Sequence, residues 1–144
     1  MLVNAADSLL CPCFCRRRSD AGGRHKLPES KLQVACVAWA NAQNLLVVGH
    51  AGGAAYLHGG RTANALKAKG VTPGIPDLLI LEPGFDGTHG LAVELKIDNN
   101  VLSADQRAWF EKGRAKQWRC VEARSLDQFQ ALVREHQTGV IEID

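Results

Sequence analysis

No stretch of this chain approaches the roughly 20 consecutive apolar residues that a membrane-spanning helix needs, so a membrane span is excluded. Met1 to Leu10 is short and carries Asp7, and no basic start precedes an apolar stretch, so a secretory leader is not expected either. Cysteine falls short of a framework. There are five, an odd number, and Cys11, Cys13 and Cys15 in Cys-Pro-Cys-Phe-Cys, even with His25 nearby, lack the second paired half of a structural zinc module. The Gly-rich run from Gly49 to Gly60 also lacks a P-loop signature, which would need Gly at Ala55 and Lys at Arg61. Its two histidines, His50 and His58, read as polar loop residues. Cys36 and Cys120 fall in a predicted helix and strand as small buried hydrophobes. The expectation is an intracellular protein, nuclear or cytoplasmic, with reduced thiols.

What is present suits one domain: 144 residues, of which 46% are hydrophobic, are enough for a real core. The net charge of +2 hides an asymmetry. Met1 to Ile75 holds nine Lys/Arg against three Asp/Glu, about +6, and Pro76 to Asp144 holds eight against twelve, about −4. A basic front half beside an acidic back half fits a protein that attracts a polyanion and holds a cation; solvated faces on an ordinary domain explain it as well.

Residues 1–27 are polar, Gly- and Arg-rich and aperiodic, and are expected to form a poorly ordered tail. Acylation of the cysteine cluster beside Arg16 to Arg18, giving a membrane-associated accessory, is a competing use of it. Pro28-Glu29-Ser30 opens a helix predicted over Glu29 to Gln43, with Leu32, Cys36 and Trp39 at helical spacing. Leu45 to His50 reads as a strand and Thr62 to Lys69 as a short helix. Arg61, Lys67 and Lys69, with no acidic residue among them, are the candidate phosphate contacts.

The centre of the chain is Gly74 to Lys96. Leu78 to Leu81 and Leu91 to Leu95 are short apolar runs bounded by Pro and Gly, predicting two buried strands joined by a turn near Asp86-Gly87. Asp77 then lies opposite Glu94 to Lys96. Alternation puts Glu94 and Lys96 on one face and Leu95 on the other. Charges on strands buried on both faces are costly unless a partner or a metal compensates them, so two carboxylates converging with one lysine suggest a divalent-cation site.

Asp77 followed by Glu94-Leu95-Lys96 resembles the PD-(D/E)XK nuclease motif. The wider string is more specific: Lys67-Ala-Lys-Gly-Val-Thr-Pro-Gly-Ile-Pro-Asp77-Leu, then Gly90-Leu-Ala-Val-Glu94-Leu-Lys96, then Leu102-Ser-Ala-Asp-Gln106. It is similar to the VRR-NUC domain of that superfamily, over Glu29 to His136. The resemblance implies that Asp77, Glu94 and the Leu95 carbonyl hold Mg²⁺ or Mn²⁺, that Glu29 on the first helix joins them, and that Lys96 and Gln106 act with Asp77 and Glu94 in catalysis. It further implies a DNA endonuclease leaving a 5′-phosphate, and for stand-alone members a homodimer acting on branched DNA such as a Holliday junction or flap. The family commonly ends the helix before the last strand with Gly; here Lys116-Gln117 stands there.

Ser103-Ala-Asp-Gln106 is also a capping box in its own right, starting a helix that runs to about Lys116, with Trp109 in the core. Trp118 to Ala123 alternates as a strand. Ser125-Leu-Asp-Gln128 repeats the capping pattern ahead of a last helix with Leu126, Phe129, Leu132 and Val133 inward, and Thr138 to Asp144 reads as a tail or short edge strand. The expected architecture is an α/β, restriction-endonuclease-like core, a mixed sheet of about four strands flanked by helices, over residues 28–137. Against the endonuclease stands a noncatalytic nucleic-acid-binding or partner-docking module on the same fold.

Overall fold

The computed structural model describes residues 28–50 and 60–140, the side chains of 61–63 excepted. The expectations placed on residues 1–27, on Cys11, Cys13, Cys15, His25 and His58, and on 141–144 lie outside the described residues. The elements are α1 (Glu29–Ala42), β1 (Val47–Gly49), α2 (Gly60–Ala68), β2 (Leu78–Ile80), β3 (Gly90–Leu95), α3 (Ala104–Ala115), β4 (Trp118–Ala123) and α4 (Leu126–Thr138). Each expected helix and strand is present, with boundaries moved by at most two residues. No helix among the described residues is long and apolar enough to cross a membrane.

The four strands form one mixed sheet in the order β1-β2-β3-β4. β1, β2 and β3 run antiparallel, with Val47 opposite Ile80 and Leu78 opposite Val93. β4 joins β3 in parallel after the α3 crossover, Leu95 opposite Ala123. Helices cover both faces. Leu32, Cys36 and Ala40 of α1 and Phe129 and Val133 of α4 pack on Leu78, Ile80, Leu91, Val93 and Leu95. Phe110 and Trp109 of α3 pack on Ala92 and Cys120 from the other side. β3, buried at all six positions, is therefore apolar on both faces until Glu94.

The helix termini explain the chain's punctuation. Both halves of the Ser103 capping box form at α3. At α4 the Ser125 hydroxyl accepts from the Gln128 amide, but the Gln128 side chain reaches past the cap to the Arg124 N–H at 2.8 Å. Where the family favours glycine after α3, Gln117 adopts φ +60°, the left-handed conformation that costs a side chain about 1–2 kcal/mol. Thr138 does not open a tail: α4 includes it and ends at Gly139 with φ +71°. The β2–β3 turn is pinned to the end of α4, the Phe85 N–H donating to the His136 carbonyl at 2.9 Å.

Candidate active site

The register that sets Leu78 against Val93 brings Asp77, one residue earlier, beside the end of β3. Asp77 Oδ2 accepts the Leu95 N–H at 2.8 Å. Alternation then turns Glu94 and Lys96 to the α3 face, and the first turn of α3 supplies Gln106. Lys96 Nζ donates to Glu94 Oε1 at 2.7 Å and to Gln106 Oε1 at 3.1 Å. Gln106 Nε2 donates to the same Glu94 Oε1. Its Oε1 also accepts the Ser103 N–H at 2.8 Å, so one glutamine both caps α3 and completes the site.

Burial makes this set electrostatically unusual. Asp77, Glu94 and Lys96 are 8%, 1% and 7% exposed. Loss of water pushes the Glu94 carboxyl up to about 7 against the pull of Lys96, and the charges of Asp77 and Glu29 add to the rise. Burial raises Asp77 too, outweighing the Leu95 N–H bond and the nearby Lys96 and His50. Glu29, half-buried in the first turn of α1, is thus close enough to act on Glu94 through its charge.

Glu94 Oε2 is buried without a hydrogen-bond partner. Among the described residues no three His, Cys, Asp or Glu side chains converge as a ready metal cage. That donor set still fits Mg²⁺ or Mn²⁺: Mg²⁺ typically takes one or two carboxylates and keeps several waters. Asp77 and Glu94 supply hard oxygens. The Leu95 carbonyl leaves the strand on the edge its N–H uses, toward Asp77.

Two residues of the surroundings were not singled out from the sequence as site residues. Gln33 Nε2, on α1, donates to the His50 carbonyl at 3.0 Å and to the Asp77 carbonyl at 3.2 Å, while the His50 N–H donates to the Asp77 carbonyl at 2.8 Å. Gln33 ties α1 to the loop that carries Asp77, and its spacing of four from Glu29 was the available signal. His50, expected as a plain loop residue, stands beside Asp77 with a buried, unpartnered Nδ1. Gly74, at φ +75°, lets the same loop cross α3: a Cβ there would lie 2.3 Å from the Asp105 carbonyl and 2.6 Å from the Gln106 nitrogen.

The fold therefore brings Glu94, Lys96 and Gln106 into one hydrogen-bonded group and sets Asp77 next to it, on the Leu95 N–H. Lys67 and Lys69 are exposed and outside it, on the segment that leads to Asp77, and Arg61 lies in α2.

A mixed four-stranded sheet between helices, with this group at the end of a hairpin, is the fold of an α/β nuclease-type domain. Residues 26–127 match the model of the VRR-NUC domain, and the chain belongs to that family. A solved structure of a VRR_NUC domain protein shares the fold with a TM-score of 0.58 at 23% identity, covering 83% of this chain and 99% of that one. No curated protein matches the chain.

Proposed function

We propose that the chain is a Mg²⁺- or Mn²⁺-dependent DNA endonuclease selective for branched or otherwise structured DNA. The observation that carries this reading is the divided state of Glu94: Oε1 is held by Lys96 and Gln106, while Oε2 is buried with no hydrogen-bond partner, in a carboxyl that also feels the charge of Asp77. Such an atom is costly to bury unless a cation or proton meets it.

Asp77, Glu94 and the Leu95 carbonyl would hold the ion, and Glu29 would add negative charge nearby. When bound, a divalent ion lowers the pKa of a water and offsets charge developing on phosphorus. Lys96 Nζ, fixed between Glu94 Oε1 and Gln106 Oε1, directs its remaining N–H toward the attacking water or a phosphate oxygen. Gln106 holds Lys96 in that position. Arg61, Lys67 and Lys69 contact phosphates ahead of the scissile bond, and the cut leaves a 5′-phosphate. A homodimer would set two such sites about a twofold axis, which suits paired nicks across a four-way junction.

Cleavage of a labelled four-way junction, a 5′ flap and plain duplex, with Mg²⁺, Mn²⁺ or EDTA, tests the reading. Metal-dependent cutting of the branched substrates, lost in Asp77→Asn and Lys96→Ala, is the expected result. A folded wild type that binds DNA and cuts nothing with either metal would instead be the noncatalytic binding module.

A further inference from the structure

The loop from Ile97 to Leu102 joins the two halves of the catalytic group, leaving Lys96 at one end and delivering Ser103 and Gln106 at the other. It has no regular structure of its own, and Asp98 within it takes φ +54°, a conformation unfavourable for a side chain other than glycine's hydrogen. Yet its ends must be placed closely enough for Lys96 Nζ and Gln106 Nε2 to meet on one oxygen of Glu94.

Two arginines reach this loop from outside: Arg107 of α3 donates to the Leu102 carbonyl at 2.6 Å, at the loop's end, and Arg124 grips its middle. Arg124 Nη1 donates to the Asp98 carbonyl at 2.7 Å and its Nη2 to the Asn100 carbonyl at 2.9 Å, while Nη2 also lies 3.1 Å from Glu122 Oε2. The planar guanidinium fork thus spans two carbonyls of one turn, a geometry an ammonium cannot reproduce. Arg124 is itself held, since its N–H donates to Gln128 Oε1 in the first turn of α4. The residue before it, Ala123, accepts the Lys96 N–H at 3.0 Å. The loop is therefore secured at its start by Ala123, in its middle by Arg124 and at its end by Arg107 and the Ser103–Gln106 cap. The Glu122 pair is the lesser part: both side chains are over a third exposed, where an ion pair contributes little.

We propose that Arg124 is a positioning residue for the nuclease reaction, acting through the Asp98 and Asn100 carbonyls to hold Lys96 and Gln106 together on Glu94. This rests on the endonuclease reading of that site. Arg124 touches none of the reacting groups, so its loss acts on turnover and leaves DNA affinity alone.

The test compares the full chain carrying Arg124→Ala, Arg124→Lys or Glu122→Gln with wild type, by kcat and KM on the best-cut substrate and by amide hydrogen exchange at Ser103. Arg124→Ala is expected to lower kcat about 10- to 100-fold, as small misplacements of catalytic groups do, with KM within about twofold. Arg124→Lys recovers part of the loss and Glu122→Gln behaves as wild type. The Ser103 amide, bonded to Gln106 Oε1, exchanges faster in Arg124→Ala and not in Glu122→Gln. A raised KM with kcat kept would make Arg124 a DNA contact, and an unchanged kcat would make it a plain surface anchor; either overturns the proposal. If Arg124→Ala does not fold, Arg124→Lys carries the same comparison, and wild-type kcat with wild-type exchange in it overturns the idea. If wild type cuts nothing, the endonuclease reading has failed by itself, and unchanged Ser103 exchange in the folded variants then overturns the positioning role separately.

Discussion

Lys96 Nζ sits 2.7 Å from Oε1 of Glu94, two residues before it on the same face of β3, while Oε2 of the same carboxylate is buried and unpartnered. The lysine therefore neutralises half of a buried acid. The other half is left for a proton or a cation, and that competition can be measured.

Without metal, Glu94 should make stability fall as pH rises. Its carboxyl is raised from an ordinary value of 4.5 to about 7. Between those values the folded chain keeps a proton that the unfolded chain has released, so the stabilisation is complete below about 4.5 and lost by about pH 7, in total on the order of 3 kcal/mol. Asp77, also raised, adds a change of the same sign. Urea unfolding in EDTA across pH 4 to 8 should show the decline, with Glu94→Gln flatter and more stable than wild type at pH 8, and added Mg²⁺ should reverse the loss in wild type alone. Matching pH profiles for wild type and Glu94→Gln would refute this.

Gln106→Ala removes the side-chain half of the capping box together with the donor to Glu94. The cap costs about 1 kcal/mol, a drop of a few degrees in thermal unfolding, and release of Lys96 should lower kcat by about 10- to 100-fold. Gln106→Glu should keep the cap, since a carboxylate still accepts the Ser103 N–H, but it cannot donate to Glu94 and sets a like charge against it, so kcat should fall at least as far. Calorimetry with single-turnover cleavage separates the two effects; full activity in Gln106→Ala would leave the residue a cap alone.

Gly74→Ala and Gly87→Ala form a matched pair. Both glycines have positive φ, +75° and +82°, but a Cβ on Gly74 meets the α3 backbone at 2.3 Å while one on Gly87 meets nothing within 4 Å. Gly87→Ala should cost about 1 kcal/mol, the price of the left-handed conformation. Gly74→Ala should exceed it by about 1–3 kcal/mol and depress cleavage by displacing Gln106. Equal losses in denaturant unfolding would mean that the close crossing is unimportant.

Lys67→Ala and Lys69→Ala should each weaken DNA binding alike across sequences and reduce the salt slope by about 1, as expected for lost phosphate contacts. Fluorescence anisotropy across a salt series, in Ca²⁺ to prevent cutting, reads this directly. Slopes equal to wild type would place the DNA on another face.

Much of this site was legible because short-range rules dictate it. A strand alternates, so Glu94 and Lys96 had to share a face, and Leu95 had to oppose them. A capping box is local, so Ser103 and Gln106 declared the start of α3. Gln33, His50 and Arg124 were not singled out as site residues for the opposite reason: each meets its partner through contacts 17 to 44 residues away. Gln117 shows a further gap, since nothing in its chemistry announces a left-handed backbone that glycine would occupy more cheaply.

The amino-acid sequence alone determined the elements, the hairpin and which charges lie at its end, because propensity, alternation and capping act within a few residues. Tertiary structure alone decided that β4 lies parallel beside β3, that α1 reaches Asp77 through Gln33, and that one oxygen of Glu94 is satisfied while the other is not. Those outcomes depend on burial, and burial is a property of how the layers close over one another, which no local run of residues encodes.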